Sequence, residues 1–150
     1  MKYIALACLI WAAPLTTMAQ ELRDGTVIYK TDQSFDDLAF GLEMAIEGAG
    51  LVISGTNHVG AMLDRTKGAV GGTKDLFTQA DVYSFCSSTL SREVMEADIL
   101  NISFCPYDIF IYATPEAPDQ AVIGYRTYPD GPMQKVQTML DDIVKEAIGQ

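Results

Sequence analysis

Two cysteines, Cys86 and Cys105, are the residues of this chain whose chemistry is most readily specified. Each directly follows a phenylalanine, and no Cys-x-x-Cys spacing is present to lower the pKa of a thiol. In an oxidising compartment this pattern predicts a structural disulfide between Cys86 and Cys105. A bridge that closes this 20-residue loop contributes about 3 kcal/mol. The bridge requires α-carbons within about 7 Å of each other. A reactive or regulatory thiol pair is the alternative hypothesis.

His58 is the only histidine of the chain, and it follows a predicted strand. Histidine is the side-chain type that ordinarily changes charge near neutral pH, so His58 is the residue best suited to exchange a proton or to bind a metal. A lone histidine is also commonly a hydrogen-bonded structural or surface group. Together with Cys86 and Cys105 it would complete a three-ligand site for copper or zinc. No closely spaced ligand pair is present to nucleate such a site, so we expect no bound metal and keep this set as the alternative.

The candidate binding residues are His58, Cys105 and Tyr107. Pro106 lacks a backbone donor and fixes the chain just before the strongest predicted strand, which would hold Cys105 and Tyr107 in a defined direction. If the strands next to these residues share one sheet, the three side chains converge at one edge. The same residues allow a simpler interpretation, in which His58 ends a loop and Tyr107 belongs to the core.

The sequence contains no recognisable catalytic motif. It lacks Gly-x-Ser-x-Gly, His-Glu-x-x-His and a calcium-binding loop. The glycine-rich stretch 68–74 has Thr73 before Lys74, the reverse of the order in a phosphate-binding loop. Carboxylate pairs such as Asp36 and Asp37 occupy predicted helix positions that suit caps and solvated faces. We therefore expect no catalytic residue and no cofactor, and a binding role rather than an enzyme.

Residues 1–19 have the features of an export signal. Lys2 supplies positive charge, residues 4–15 are mostly apolar, and residues 16–19 offer small side chains before a cleavage position between Ala19 and Gln20. The alternative, an uncleaved membrane anchor, needs about 20 apolar residues, and this run is shorter. We predict a periplasmic or secreted protein whose mature part, residues 20–150, is one domain.

The chain is acidic, with a formal net charge of -10 at pH 7. Its lysines and arginines do not cluster at any point of the sequence. Nucleic acids and anionic membrane surfaces both need clustered positive charge, so we expect no nucleic acid as a partner and no membrane contact after signal cleavage. The expected partner is an unknown small molecule or a periplasmic protein.

Hydrophobic periodicity predicts the elements that must position these residues. Apolar residues alternate in short β-branched and aromatic segments, and recur at helical spacing between and after them. Strands are predicted at 25–30, 51–56, 81–86, 107–113 and 121–125, and helices from Ser34, at 88–97 and from Pro132, with a weaker short helix after His58. The order β-α-β-(α)-β-(α)-β-β-α predicts one two-layer α+β domain, with a mixed or antiparallel sheet covered by helices.

Short motifs along the mature chain resemble the domain of unknown function 302 family, small bacterial domains that often occur in exported proteins. The resemblance rests on the order and spacing of five motifs, which are Ser34-Phe35-Asp36-Asp37, Gly50-Leu51-Val52, His58 with Ala61, Phe85-Cys86, and Cys105-Pro106-Tyr107-Asp108-Ile109. It spans nearly all of the mature chain and implies a two-layer α+β fold. It implies no activity, because the role of the family is unassigned.

These features predict an exported module that binds a small ligand or a protein without catalysis. The alternative is a thiol-redox or soft-metal-handling protein that uses Cys86, Cys105 and His58.

Overall fold

The computed structural model describes residues 20–150, so the predicted signal peptide lies outside the described residues. The strands are β1 (Gln20–Arg23), β2 (Thr26–Lys30), β3 (Ile53–Asn57), β4 (Gln79–Phe85), β5 (Tyr107–Thr114) and β6 (Ala117–Arg126). They form one sheet in the order β1-β2-β6-β5-β4-β3, in which every neighbouring pair is antiparallel. The helices are α1 (Phe35–Gly48), α2 (Val59–Thr66), α3 (Ser88–Ala97) and α4 (Gln134–Ala147), and a 3₁₀ helix spans Ile99–Phe104.

Helices α1 and α4 contact each other and cover one face of the sheet. Ser34 caps α1 by accepting a hydrogen bond from the backbone N–H of Asp37, which satisfies one of the free donors at the helix start. The apolar stripes of the two helices are buried, and consist of Phe35, Leu38, Leu42, Ala45 and Ile46 in α1, and Val136, Leu140, Ile143, Val144 and Ala147 in α4. Removal of this apolar surface from water is the main force that holds the two layers together.

The side chains of strand β5 point alternately to the two faces of the sheet. Its side chains alternate between buried and half-buried positions, which is the period-two pattern of a strand with one face on the core. Tyr107 lies on the buried face, whereas Phe110 lies on the face away from the helices. There the ring of Phe110 lies close to Gly124 of β6, where an added Cβ would meet Cζ of that ring at 2.7 Å. Only glycine leaves enough room at this position.

A buried polar cluster ties α4 to the sheet. The hydroxyls of Tyr29 and Tyr125 both donate to Oδ1 of Asp141, each at 2.6 Å, and Nζ of Lys145 lies 2.6 Å from Oδ2. Burial first, and then the hydrogen bond to the carboxylate, raises the pKa of both phenols, so they remain donors. Burial on its own would raise the pKa of Asp141, but hydrogen bonds from Lys145 and the two phenols outweigh it and lower that pKa. The cluster thus holds a charged carboxylate at a packed contact between helix and sheet.

The structure confirms the predicted two-layer α+β architecture, with a sheet that is antiparallel throughout. Strand β1 was not among the predicted strands, because its sequence lacks β-branched residues and only pairing with β2 makes it extended. The turn between β5 and β6 is shorter than the gap between the predicted strands 107–113 and 121–125, because Thr114 pairs with Ala117 and both strands continue almost to the turn. Within residues 20–150, no helix is both long enough and apolar enough to cross a membrane.

Candidate functional site

Cys86 and Cys105 meet at one end of the sheet. The register pairs Phe85 with Tyr107, which places Cys86 opposite the chain that leads into β5. The two Sγ atoms lie 2.6 Å apart, so the pair is close enough for a disulfide. In the thiol form, partial desolvation first and the hydrogen bond to Cys105 second raise the pKa of Cys86 to about 11, although the residue as a whole is exposed. At neutral pH the reduced side chain is therefore a protonated thiol and a weak nucleophile.

Tyr107 belongs to the core of the domain. Its side chain is fully buried, and its hydroxyl lies 3.0 Å from the hydroxyl of Ser91. Its ring packs edge-on against Tyr128, with the ring centroids 6.2 Å apart. This placement agrees with the simpler of the two interpretations that the sequence allows, in which Tyr107 belongs to the core.

His58 lies at the opposite end of β4 from the cysteines. Its Nδ1 is 3.0 Å from Oδ1 of Asp81, because β3 and β4 run antiparallel and the end of β3 lies beside the start of β4. Asp81 precedes Cys86 by five residues of extended chain, which separates the two places by about 16 Å at about 3.3 Å per residue. The structure therefore does not bring His58 together with Cys105 and Tyr107.

The same separation applies to the alternative metal site. His58 cannot share an ion with Cys86 and Cys105 from the other end of the strand. Within residues 20–150, no three histidine, cysteine or carboxylate side chains are arranged to hold a metal ion.

A cleft of about 600 Å³ opens beside His58, between α1, α2 and β4. We call it the His58 cleft and define it by six of its lining residues, which are Phe35, His58, Ala61, Phe77, Asp81 and Tyr83. Aromatic rings and polar groups both line this cavity. Its volume falls within the range of about 300–1,000 Å³ that is usual for small-molecule sites.

Local sequence explains how the walls of the His58 cleft are built. His58 is the N-cap residue that precedes α2, and its backbone carbonyl accepts a hydrogen bond from the N–H of Met62 at 3.1 Å. Gly60 lets the helix approach β4 closely, since an added Cβ would lie 2.7 Å from the backbone nitrogen of Ala80. On the far side, an ion pair between Lys67 and Asp75 joins the two ends of the glycine-rich loop. The loop that the sequence contains after α2 is therefore held beside the cleft.

Asp81 orients the imidazole of His58. When Nδ1 carries the proton and donates it to the carboxylate, Nε2 remains an acceptor with a free lone pair. The His58 side chain is 68% exposed, whereas that of Asp81 is only 14% exposed. In this tautomer the pair leaves Nε2 of an exposed imidazole free to accept a hydrogen bond and keeps the carboxylate mostly away from water.

Sequence patterns single out His58 but neither Asp81 nor Tyr83. The two residues are two positions apart in a predicted strand, so their side chains lie on one face of it. Two polar side chains at alternate positions are the sequence pattern that could have indicated a site there. Only the pairing of β3 with β4 brings His58 to that face, and strand order is not visible in the spacing of residues.

Neither the comparison with protein-family models nor the search of curated proteins matches this chain. Among solved structures it is similar to the crystal structure of an uncharacterized conserved protein, DUF302, from Bacillus stearothermophilus. The two superpose with a TM-score of 0.57 at 16% sequence identity, over 85% of this chain and 89% of the other. This likeness confirms the expected fold of the domain of unknown function 302, and at this identity it is a likeness of fold alone.

Proposed function

We propose that this protein is an exported, non-catalytic module that binds a small molecule in the His58 cleft. The observation that carries the proposal is a cavity of about 600 Å³ with aromatic walls, on which His58, Asp81 and Tyr83 converge. Polar and apolar groups contribute about equally to the lining of this cleft, and a few fixed polar groups are what orient a small ligand. A protein partner, the other class expected from the sequence, needs a broad surface of about 800 Å² on each side rather than a recess.

The geometry of His58 favours binding over nucleophilic catalysis. An aspartate–histidine pair activates a nucleophile when a hydroxyl or thiol hydrogen-bonds to the second ring nitrogen. Among residues 20–150, the side-chain hydrogen bond of His58 goes to Asp81 alone. The imidazole is also largely exposed, so water competes for its free nitrogen. This environment suits a contact with a ligand better than the role of a general base that activates a nucleophile.

The cysteine pair supports a structural disulfide rather than redox exchange. Rapid exchange requires a lowered thiol pKa, since the thiolate is the attacking species. Here partial desolvation and then the neighbouring Cys105 thiol raise the pKa of Cys86, although the residue as a whole is exposed. We therefore propose that Cys86 and Cys105 form a permanent bridge, which fixes the end of the 3₁₀ helix to the end of β4.

Export is supported by the amino-terminal sequence and by this cysteine pair. Residues 1–19 combine a positive charge, an apolar run and a small-residue cleavage position. An oxidising compartment such as the periplasm would close the Cys86–Cys105 bridge. The cytoplasm would keep it reduced.

Native mass spectrometry of the protein released from the periplasm tests the proposal. We expect a mature chain that begins at Gln20 and carries a non-covalently bound small molecule, which is lost on denaturation. The variant Ala61→Trp fills the His58 cleft and should lose the molecule. The matched variant Ala97→Trp places the same side chain at the exposed end of α3 and should keep it.

Equal retention of the molecule by both tryptophan variants would place the ligand elsewhere and contradict the His58 cleft as its site. A mass that still includes residues 1–19 would contradict export through a cleaved signal. These two parts of the proposal can therefore fail separately.

A further inference from the structure

The His58 cleft carries more negative than positive charge. Four carboxylates line it, which are Asp36, Asp64, Asp75 and Asp81. Lys67 is a cation beside this wall; it pairs with Asp75 and lies 4.0 Å from Asp64, so it offsets one of the four negative charges. An uncompensated group of carboxylates attracts cations and repels anions. The cleft is therefore electrostatically suited to a positively charged ligand.

Asp81 is the least solvent-exposed of these four carboxylates. Its side chain is 14% exposed, and among residues 20–150 its only ion-pair partner is the imidazole of His58, which is charged only when protonated. Asp141, which has a similarly small exposure, is instead held 2.6 Å from the permanent cation of Lys145. A mostly buried carboxylate without a permanent cation is costly. Asp81 therefore lacks the partner that Asp141 has.

Tyr83 is a second polar group that lines the cleft without a partner. The residue is 2% exposed, yet no described side chain or backbone group hydrogen-bonds to its hydroxyl, in contrast to Tyr29 and Tyr125. Burial first, and then the carboxylates of Glu43 and Asp81, raises the pKa of Tyr83 to about 12. Tyr83 lies two residues after Asp81 on the same face of β4, so the two side chains start about 6.6 Å apart.

We infer that the His58 cleft binds an organic ammonium compound, whose N–H groups donate to the carboxylate of Asp81 and to the phenol oxygen of Tyr83. This inference rests on the proposed function and names the class of ligand. The carbon body of the ligand packs between Phe35 and Phe77, which form apolar walls of the same cavity. A metal cation is a poor fit, since within residues 20–150 no three ligating groups converge.

Isothermal titration calorimetry with probes that share a phenylethyl group and differ in charge tests the inference. The probes are phenethylamine as the cation, 2-phenylethanol as the neutral analogue and 3-phenylpropionate as the anion. A hydrogen-bonded charge pair is worth about 1.5–3 kcal/mol, so phenethylamine should bind about tenfold or more tightly than 2-phenylethanol. Asp81→Asn should remove most of that preference, and Tyr83→Phe should weaken binding of phenethylamine by about two- to tenfold.

The matched control is Asp98→Asn, which neutralises an exposed carboxylate outside the cleft and should leave all three affinities unchanged. Circular dichroism spectra of the variants establish that they are folded, so that lost binding is not lost structure. A preference for the neutral or anionic probe that Ala61→Trp abolishes would overturn the ammonium inference and leave the cleft as a binding site. Binding of phenethylamine that Ala61→Trp does not weaken would overturn both. Failure of phenethylamine to bind the folded parent protein would also overturn the ammonium inference.

Discussion

Replacement of Asp141 by asparagine tests the polar cluster that joins α4 to the sheet. Oδ1 of Asp141 accepts two hydrogen bonds of 2.6 Å from the buried hydroxyls of Tyr29 and Tyr125. A hydrogen bond to a charged acceptor contributes about 1.5–3 kcal/mol, and one between neutral groups about 0.5–1.5 kcal/mol. The asparagine of Asp141→Asn would keep the shape but lose the charge, so each of the two bonds should weaken by about 1 kcal/mol. We expect a total loss of about 2 kcal/mol in the free energy of unfolding at pH 7.

Urea unfolding, followed by circular dichroism, measures this loss. The control is Asp142→Asn, because the neighbouring Asp142 is exposed and the same substitution there should change stability by less than about 0.5 kcal/mol. In the Asp141→Asn background, Tyr29→Phe and Tyr125→Phe should each cost less than in the parent, since the bond they remove is already weakened. An Asp141→Asn protein as stable as the Asp142→Asn control would refute the reasoning.

The pH dependence of this difference has a defined sign. The pKa of Asp141 is lowered in the folded protein, so its stabilising contribution is fully present above the unfolded value of about 3.9 and is lost as the pH falls through the folded pKa. The stability difference between the parent and Asp141→Asn should therefore be constant from pH 7 down to about 5 and should shrink below about pH 4. A difference that grows on acidification would show that the folded carboxyl is protonated more easily than the unfolded one.

Three further predictions concern the packing and the cysteine pair. Leu140→Asp should destabilise by about 3 kcal/mol or more, because Leu140 is fully buried and an unpaired charge would enter the core, whereas Thr138→Asp on the exposed side of α4 should be nearly neutral in thermal melting. Gly124→Ala should lower the free energy of unfolding by about 1–3 kcal/mol through overpacking. The control is Gly55→Ala, where an added Cβ meets nothing within 4 Å, and it should cost less than about 1 kcal/mol in the same urea assay. Intact mass before and after reduction should differ by two hydrogens if Cys86 is bridged, and two thiols that react without reduction in the protein from the periplasm would contradict the bridge.

The order of helices and strands could be predicted because it depends on local patterns. Helix α3 occupies the predicted residues 88–97, and its apolar spacing is set within the segment itself. Its cap is Ser87, which accepts from the N–H of Leu90, although Ser88 and Ser91 lie close by in the sequence. Neighbouring serines offer the same hydroxyl, and only the backbone conformation decides which one precedes the first turn.

The candidate site could be predicted only in part, because it depends on strand order. His58 was identifiable as a polar residue after a strand, but its predicted neighbours Cys105 and Tyr107 lie at the other end of the sheet. The antiparallel pairing of β3 with β4 reverses which strand ends are adjacent, and it puts Asp81 rather than Cys86 beside the imidazole. Long-range pairing of this kind leaves no mark on local periodicity.

The most direct test of the His58 cleft is a protein-observed NMR screen with a library of small fragments. Amide signals of ¹⁵N-labelled residues 20–150 report where each fragment binds. We expect the signals that shift to cluster on the cleft around Ala61, Phe77 and Asp81, and to stop responding in Ala61→Trp but not in Ala97→Trp. Shifts that cluster instead around Phe110 on the open face of the sheet, or a spectrum that responds to no fragment, would contradict the His58 cleft as the binding site of this protein.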